Sequence, residues 1–302
     1  MGSSREEAWI AHVRSKHPEL ANEPFRTISS GHQNLIFVVG EQLIFRFPLT
    51  SDLSSLKLEQ KLLPKLAKRL PLPIPNLLYQ SAPSDKIQYI GYPFVPGQSL
   101  EGQRLAAMDQ ATKLRIAKQL AGFLTALHTF SYEPITKVNT SQFQDEWRRN
   151  WSGYYRAVES TVFPHIGRRE KIWIMNLFYD YLYPIEHFKF QPCLIHGDFK
   201  NDHILFDPKE QKLTGIIDFG QMRMGDPSYD YHDLCITYGG KFAALVLNHY
   251  KGPNDKTFLR RCSGFYEHLL SLSSMINALQ TGNKDKFNLR HEWLKQKAKQ
   301  AE

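Results

Sequence analysis

Two carboxylates in one short stretch carry the most specific chemistry in this sequence. They lie in His196-Gly197-Asp198-Phe199-Lys200-Asn201-Asp202-His203-Ile204-Leu205-Phe206, then Gly215-Ile216-Ile217-Asp218-Phe219-Gly220, then Gly225-Asp226-Pro227-Ser228-Tyr229-Asp230. His-x-Asp alone is a weak signal, and so is Asp-Phe-Gly, because short motifs arise by chance. The order carries the information: strand, His-x-Asp, polar loop, strand, turn, strand, Asp-Phe-Gly. Phosphoryl transfer needs that arrangement. One carboxylate must sit beside the attacking hydroxyl, accept its proton and hold it in line, while a second must ligate a Mg²⁺ that bridges the nucleotide phosphates. Asp198 is the candidate base and Asp218 the candidate metal ligand. Either alone reads as an ordinary turn-capping Asp. The ordered set favours the catalytic roles.

These groups need strand ends and turns to hold them, and the chain supplies both. Residues up to about 95 read as β-rich after an opening helix near 5–16. The apolar runs 34–39 and 43–47, separated by Gly40-Glu41-Gln42, predict a hairpin. A helix is expected over about 54–68. Leu70-Pro71-Leu72-Pro73-Ile74-Pro75 cannot be helical and reads as an extended connector. Short strands near 76–80 and 87–92 complete this part. After Pro93-Phe94-Val95-Pro96-Gly97 the texture turns helical. Leu114, Ala117, Leu120, Ala121, Leu124 and Leu127 recur at three- and four-residue intervals, predicting a helix over 109–128 with one buried face. Aromatic-rich helices are expected at about 141–157 and 168–187. Short strands follow at 193–195, 204–206 and 213–217, and helices resume from about 228. The expected class is α+β: a small N-terminal β-sheet lobe, residues 1–95, and a larger, mainly helical C-terminal lobe, residues 96–302.

Composition sets the outer limits. With 302 residues, 42% hydrophobic and 23% charged, the chain can bury a sizeable core, which excludes disorder as its main state. No stretch is apolar enough for a spanning helix, and the first residues carry no apolar run. A soluble, cytoplasmic protein is expected. Three widely spaced cysteines, Cys193, Cys235 and Cys262, fit reduced thiols better than a disulfide framework or a zinc site. The charge of +8 invites an anionic partner: nucleic acid, a membrane or a phosphorylated ligand.

The ordered motifs resemble those of the aminoglycoside phosphotransferase family of antibiotic kinases, closest in pattern to the 2″-aminoglycoside branch. The resemblance covers nearly the whole chain and implies a protein-kinase-like bilobal fold. It implies Mg²⁺ as cofactor and GTP or ATP as phosphate donor. In the general kinase pattern an Asn stands five residues after the catalytic Asp, as second Mg²⁺ ligand. Here that residue is His203, as in the 2″-aminoglycoside and macrolide kinase branches, and imidazole is a softer donor than Mg²⁺ prefers. A His pointing into the hairpin core is the other reading. Lys200 matches a lysine that protein kinases place near the transferred phosphate, where it would neutralise developing charge. It also reads as a solvated loop lysine.

The resemblance continues in the N-terminal lobe. Leu43-Ile44-Phe45-Arg46-Phe47-Pro48 is similar to the strand that carries the phosphate-gripping Lys of kinases. Arg46 stands in its place, able to fork onto two oxygens. Glu59, on the next helix, would be its ion-pair partner. Ser29-Ser30-Gly31-His32-Gln33-Asn34 stands where a Gly-rich phosphate loop would lie, and its N–H groups with the hydroxyls of Ser29 and Ser30 can bind phosphate. Tyr92, Phe94 and Val95 would form the hinge that holds the base. A residue such as Tyr92 narrows the adenine position and favours GTP, unless it merely packs under the sheet. Asp226 and Asp230 read as structural, opening a helix and buttressing the catalytic loop.

The acceptor side carries opposed signals. Aminoglycosides are polycations, and the 2″-branch relatives carry several acidic residues after the position of Asp230. Here the stretch holds Asp233 alone. Arg148, Arg149, Arg168 and Arg169 make the helical insert basic. An apolar pocket suits a macrolide or another large hydroxyl compound. Trp147, Trp151, Tyr154, Tyr155, Trp173, Tyr179 and Tyr183 would be mostly core, with one or two lining an acceptor pocket. Two further classes remain. A catalytically silent kinase-like binding protein conflicts with the retained Asp198, Asp218 and Arg46. A nucleic-acid binder conflicts with the dispersed basic residues and the lack of a recognition motif. The expected partners are a nucleoside triphosphate and a small-molecule acceptor, with no nucleic acid or membrane, and the expected state is a monomer.

Overall fold

Alternating burial along Asn34–Val39 sends Leu35, Phe37 and Val39 to one face, and Phe45 and Phe47 on the next strand meet them there. The structure, a computed structural model, describes residues 2–30, 34–131 and 137–300. The chain divides into two compact units, residues 1–100 with 202–222, and residues 101–201 with 223–302. A single boundary near 95 does not capture this division, because the segment 202–222 returns to the first unit.

The first unit carries a five-stranded antiparallel sheet built from β1 (Phe25–Ser30), β2 (Asn34–Val39), β3 (Leu43–Pro48), β4 (Tyr79–Gln80) and β5 (Ile90–Pro93). The strand order is β1-β2-β3-β5-β4. Gly40 and Glu41 both adopt positive φ, 56° and 65°, the backbone sign that a tight hairpin turn matching the strand twist requires. The resulting register sets Phe37 opposite Phe45 and Ile36 opposite Arg46. The helix Gly2–Lys16 covers the apolar face, with Trp9 stacked on Phe47 at 4.9 Å and 8°. Such a ring pair adds about 0.5–1.5 kcal/mol beyond its area. The helix Ser54–Leu66 buries Leu56, Leu62, Leu63 and Leu66, and Glu59 with them.

A second sheet in this unit joins β6 (Gln98–Ser99) to β8 (Ile204–Asp207) and β9 (Lys212–Ile216). The prolines of 71–75 behave as expected, giving no helix, and the Pro73 carbonyl accepts from the Ile216 N–H at 2.9 Å. Strand β9 thus seats the chain that leads directly to Asp218.

The second unit is mainly helical. Its helix Gln110–His128 is capped by Asp109, whose carboxylate accepts from the Thr112 N–H at 2.8 Å. The aromatic helices run Thr140–Thr161 and Arg168–Leu182, the latter ending short of the expected 187 because Tyr183-Pro184 interrupts it. Strand β7 (Cys193–Ile195) pairs with β10 (Arg223–Gly225), whose three residues are too few to show a period in the sequence. A core of Trp147, Phe178, Tyr181, Phe265 and Tyr266 holds the helices together, with Tyr181 and Phe265 stacked at 3.7 Å. Among the described residues, no helix is long and apolar enough to cross a membrane.

Candidate active site

In the first unit, β3 and the helix Ser54–Leu66 place two opposite charges in the interior. Arg46 and Glu59 are 5% and 1% exposed and hydrogen-bond directly, the Arg46 Nη2 donating to Glu59 Oε1. A buried charge persists only when paired, and each here is the other's partner. Burial works against the Arg46 charge, but Glu59, Tyr92 and Asp218 outweigh it and raise its pKa. The other terminal nitrogen, Nη1, lies 3.5 Å from Asp218 Oδ1. One guanidinium therefore spans the two carboxylates. The buried Arg46 Nε has no hydrogen-bond partner.

Asp218 sits just after β9 in a left-handed conformation, φ 61° and ψ 69°, uncommon for a residue other than Gly and tolerated best by Asn and Asp. Its Oδ1 accepts from the Gly220 N–H at 3.3 Å, and Ser55 Oγ ties the same turn to the helix through the Gly220 carbonyl at 2.5 Å. The turn aims Oδ2 at His203 Nε2, 3.4 Å away. His203 is largely buried just before β8, and its carbonyl accepts from the Ile217 N–H at 3.0 Å. Its imidazole faces Asp218, so the hairpin-core alternative does not describe it. Carboxylate oxygen and imidazole nitrogen this close can share one divalent ion, and both donor types suit Mg²⁺, the oxygen better.

In the second unit, β7 leads into the turn that carries Asp198. Gly197 takes φ 79°, a conformation a side chain would resist. Asp230 fastens this turn from beneath: Oδ2 accepts from the His196 N–H at 2.7 Å and Oδ1 from the Gly197 N–H at 2.8 Å. His128, at the end of its helix, adds a contact from Nε2 to Asp230 Oδ2 at 3.1 Å, and Tyr250 Oη meets its Nδ1 at 2.7 Å. Burial raises the Asp230 carboxyl, yet the contacts with His128, His196 and Gly197 outweigh it and hold the group below the ordinary range. Phe199 stacks on Phe123 at 5.7 Å, locking the loop's other side. Asp198 is left partly exposed, with Lys200 Nζ donating to its Oδ2 at 3.0 Å.

The remaining expected residues fall as follows. Tyr92 pairs with Ile44 in the sheet, and its hydroxyl pKa is pushed up to about 12, chiefly by burial, with Arg46 opposing and Glu59 and Asp218 adding. The Phe94 N–H donates to the Gln42 carbonyl at 2.7 Å, while its ring is exposed. Val95 lies against Gly215, where a Cβ would meet its Cγ1 at 2.5 Å. Ser29 and Ser30 belong to β1, opposite Ile36 and Leu35, and Gly31 lies outside the described residues. Of the aromatic series, Trp147 is core, whereas Tyr179 and Tyr183 are exposed and line a cleft of about 370 Å³ with Arg148, Tyr155, Met175 and Leu182.

His128 and Tyr250 escaped the sequence reading, although a His closing an apolar helical stripe was a visible hint. Arg261 gave no signal. It is fully buried and holds Asp226 at 2.6 and 3.0 Å and Asp255 at 2.8 Å from two nitrogens. Asp226 also caps the turn at Ser228. Both acidic residues of Asp-Pro-x-x-Asp are thus structural, as their positions implied.

A family model described as the phosphotransferase enzyme family matches residues 24–261. Acyl-CoA dehydrogenase family member 10 of Mus musculus is 23% identical over 175 residues, 55% of this chain and 15% of that protein. Viomycin phosphotransferase of Streptomyces vinaceus is 22% identical over 168 residues, 54% of this chain and 55% of that one. The chain therefore spans less than two thirds of either relative. Among solved structures, the GDP and kanamycin complex of APH(2″)-IIIa matches with a TM-score of 0.83 and 27% identity, covering 96% of this chain and 98% of that one. The expected kinase-like α+β class is borne out by that match and by the small antiparallel sheet beside a mainly helical part.

Proposed function

This chain belongs to the phosphotransferase enzyme family, and on that premise we propose that it moves the γ-phosphate of a nucleoside triphosphate onto a hydroxyl of an aminoglycoside antibiotic. The observation that carries the reading is the set Arg46, Glu59, Asp218 and His203, a buried cation held toward two Mg²⁺-type donors within one unit. The likeness to a kanamycin-binding phosphotransferase supports the acceptor class.

In this reading His203 and Asp218 hold Mg²⁺, which when bound neutralises the triphosphate oxygens. Glu59 keeps Arg46 extended toward the phosphates, and Ser29 and Ser30, at the end of β1, are assigned to phosphate binding. Asp198 accepts the acceptor's hydroxyl proton, and Lys200 balances charge beside it. Pro93 and Pro96 have no N–H and Phe94 has donated its own to Gln42, so Val95 is the residue of that stretch with an N–H to offer the base. Tyr92 at the base position favours GTP over ATP. The enzyme works as a cytoplasmic monomer.

A second acceptor class has one observation in its favour. Asp233 is buried and lies 3.2 Å from His232 Nε2, so the one carboxylate of that stretch is already engaged. A wall with so little negative charge suits a macrolide better than a polycation. Nucleotide release with GTP and ATP across aminoglycosides, macrolides and simple amino sugars separates the two. Asp198→Ala should cut turnover about 10²–10⁴-fold while leaving nucleotide affinity within about twofold. Unchanged turnover in that variant sinks the assignment of the base.

A further inference from the structure

We propose that Cys235 and Cys262 form an oxidisable pair, a reversible disulfide site independent of the phosphoryl-transfer groups. Their Sγ atoms lie 3.0 Å apart although the residues are 27 positions apart in sequence. A disulfide spans about 2.05 Å, so closure requires a shift of roughly 1 Å. Both thiols are free, and both are buried, Cys262 fully and Cys235 at 8% exposure. The third cysteine, Cys193, is likewise buried and free, and serves as an internal control.

The flanking structure gives the pair its setting. Cys235 lies on the helix His232–Tyr238, and Cys262 opens a π-helical turn over Cys262–Tyr266. Such turns are uncommon and break the regular helical ladder, which leaves local freedom for a side chain to adjust. Arg261 precedes the turn and Tyr266 closes it, and both bond to Asp226. A bond between the two sulfurs therefore ties the helix after Asp230 to the segment that anchors Asp226.

The chemistry balances with a peroxide as oxidant. The less buried Cys235, as thiolate, attacks one peroxide oxygen, forming a sulfenic acid and releasing hydroxide. Cys262 Sγ then attacks the Cys235 sulfur, and the sulfenyl oxygen leaves as water. The two thiols together lose two electrons and two protons, and hydrogen peroxide leaves as two waters. Dithiol reductants reverse the step by exchange.

The test uses the full chain treated with hydrogen peroxide and then alkylated under denaturing conditions. Alkylatable thiols should fall from three to one per chain. A non-reducing digest should yield a peptide joining Cys235 to Cys262, and the melting temperature should rise by about 2–4 °C, returning with dithiothreitol. Cys235→Ser and Cys262→Ser should each abolish the linked peptide, and Cys193→Ser should keep it. Retention of three alkylatable thiols after peroxide, or a linkage that includes Cys193, overturns the proposal. So does a linked peptide that persists in Cys235→Ser.

Discussion

Two buried arginines show how this chain separates holding structure from presenting charge. Arg261 is saturated: two carboxylates, Ser228 and Thr257 take all three of its nitrogens. Arg46 is not. One nitrogen is committed to Glu59, a second only approaches Asp218, and the Nε has no partner. Burial disfavours both charges, and neighbouring carboxylates raise both pKa values nonetheless. The difference lies in what capacity remains. A structural cation spends every donor inside the fold, whereas Arg46 keeps capacity for an incoming anion.

Removing each arginine should separate the two roles. Arg261→Leu strands Asp226 and Asp255 without their cation and should cost about 3–5 kcal/mol in urea unfolding. A loss below about 1 kcal/mol would erase the contrast. Arg46→Ala should lower turnover about 10²–10³-fold. Its stability loss should be the smaller of the two, because burial already lifts the Glu59 carboxyl and eases its protonation once the guanidinium is gone. Equal destabilisation by both variants would show that Arg46 is structural as well. Asp218→Asn should weaken nucleotide binding at least about tenfold in Mg²⁺ and little in its absence, while unfolding moves by less than about 1 kcal/mol. Asn tolerates the left-handed backbone there.

A further effect concerns acid. His268 is held down to about 4 by burial first and Lys297 second. Between its unfolded value near 6.5 and that folded value, the unfolded chain binds the proton and the native chain does not. Stability therefore falls as pH drops through that window, by up to about 3 kcal/mol if the whole shift is realised. His268→Gln should flatten the melting temperature between pH 6.5 and 4. An unchanged slope would assign the acid sensitivity elsewhere, with Asp255 next in line, where burial is outweighed by the contacts with Arg261 that hold it low.

Legibility followed sequence distance. The turn that carries Asp198, the hairpin of β2 and β3 and the helix 110–128 were readable because their determinants are local: motif order, alternation and a three-to-four repeat. Arg46 and Glu59 were found only through order along the chain, since nothing local says that a helix-surface Glu is buried. The Arg261 cluster was unreadable because Asp226 and Arg261 are 35 positions apart and neither has a local pattern. Strand β6, with two residues, was invisible for want of length. Ser29 and Ser30 continue the ladder of β1, and Gly31 lies outside the described residues. His203 stands where the kinase pattern has an Asn, and it lies 3.4 Å from Asp218.

The return of residues 202–222 to the first unit has a consequence for synthesis. A ribosome delivers the five-stranded sheet within the first third of the chain, but β6, the Pro73 carbonyl and the Val95 side chain must wait for β8 and β9, roughly another hundred residues later. During that interval β6 and the Pro73 carbonyl lack the partners that the finished unit gives them. The same stretch that delivers the candidate metal ligands is thus also the clasp whose arrival completes the first unit.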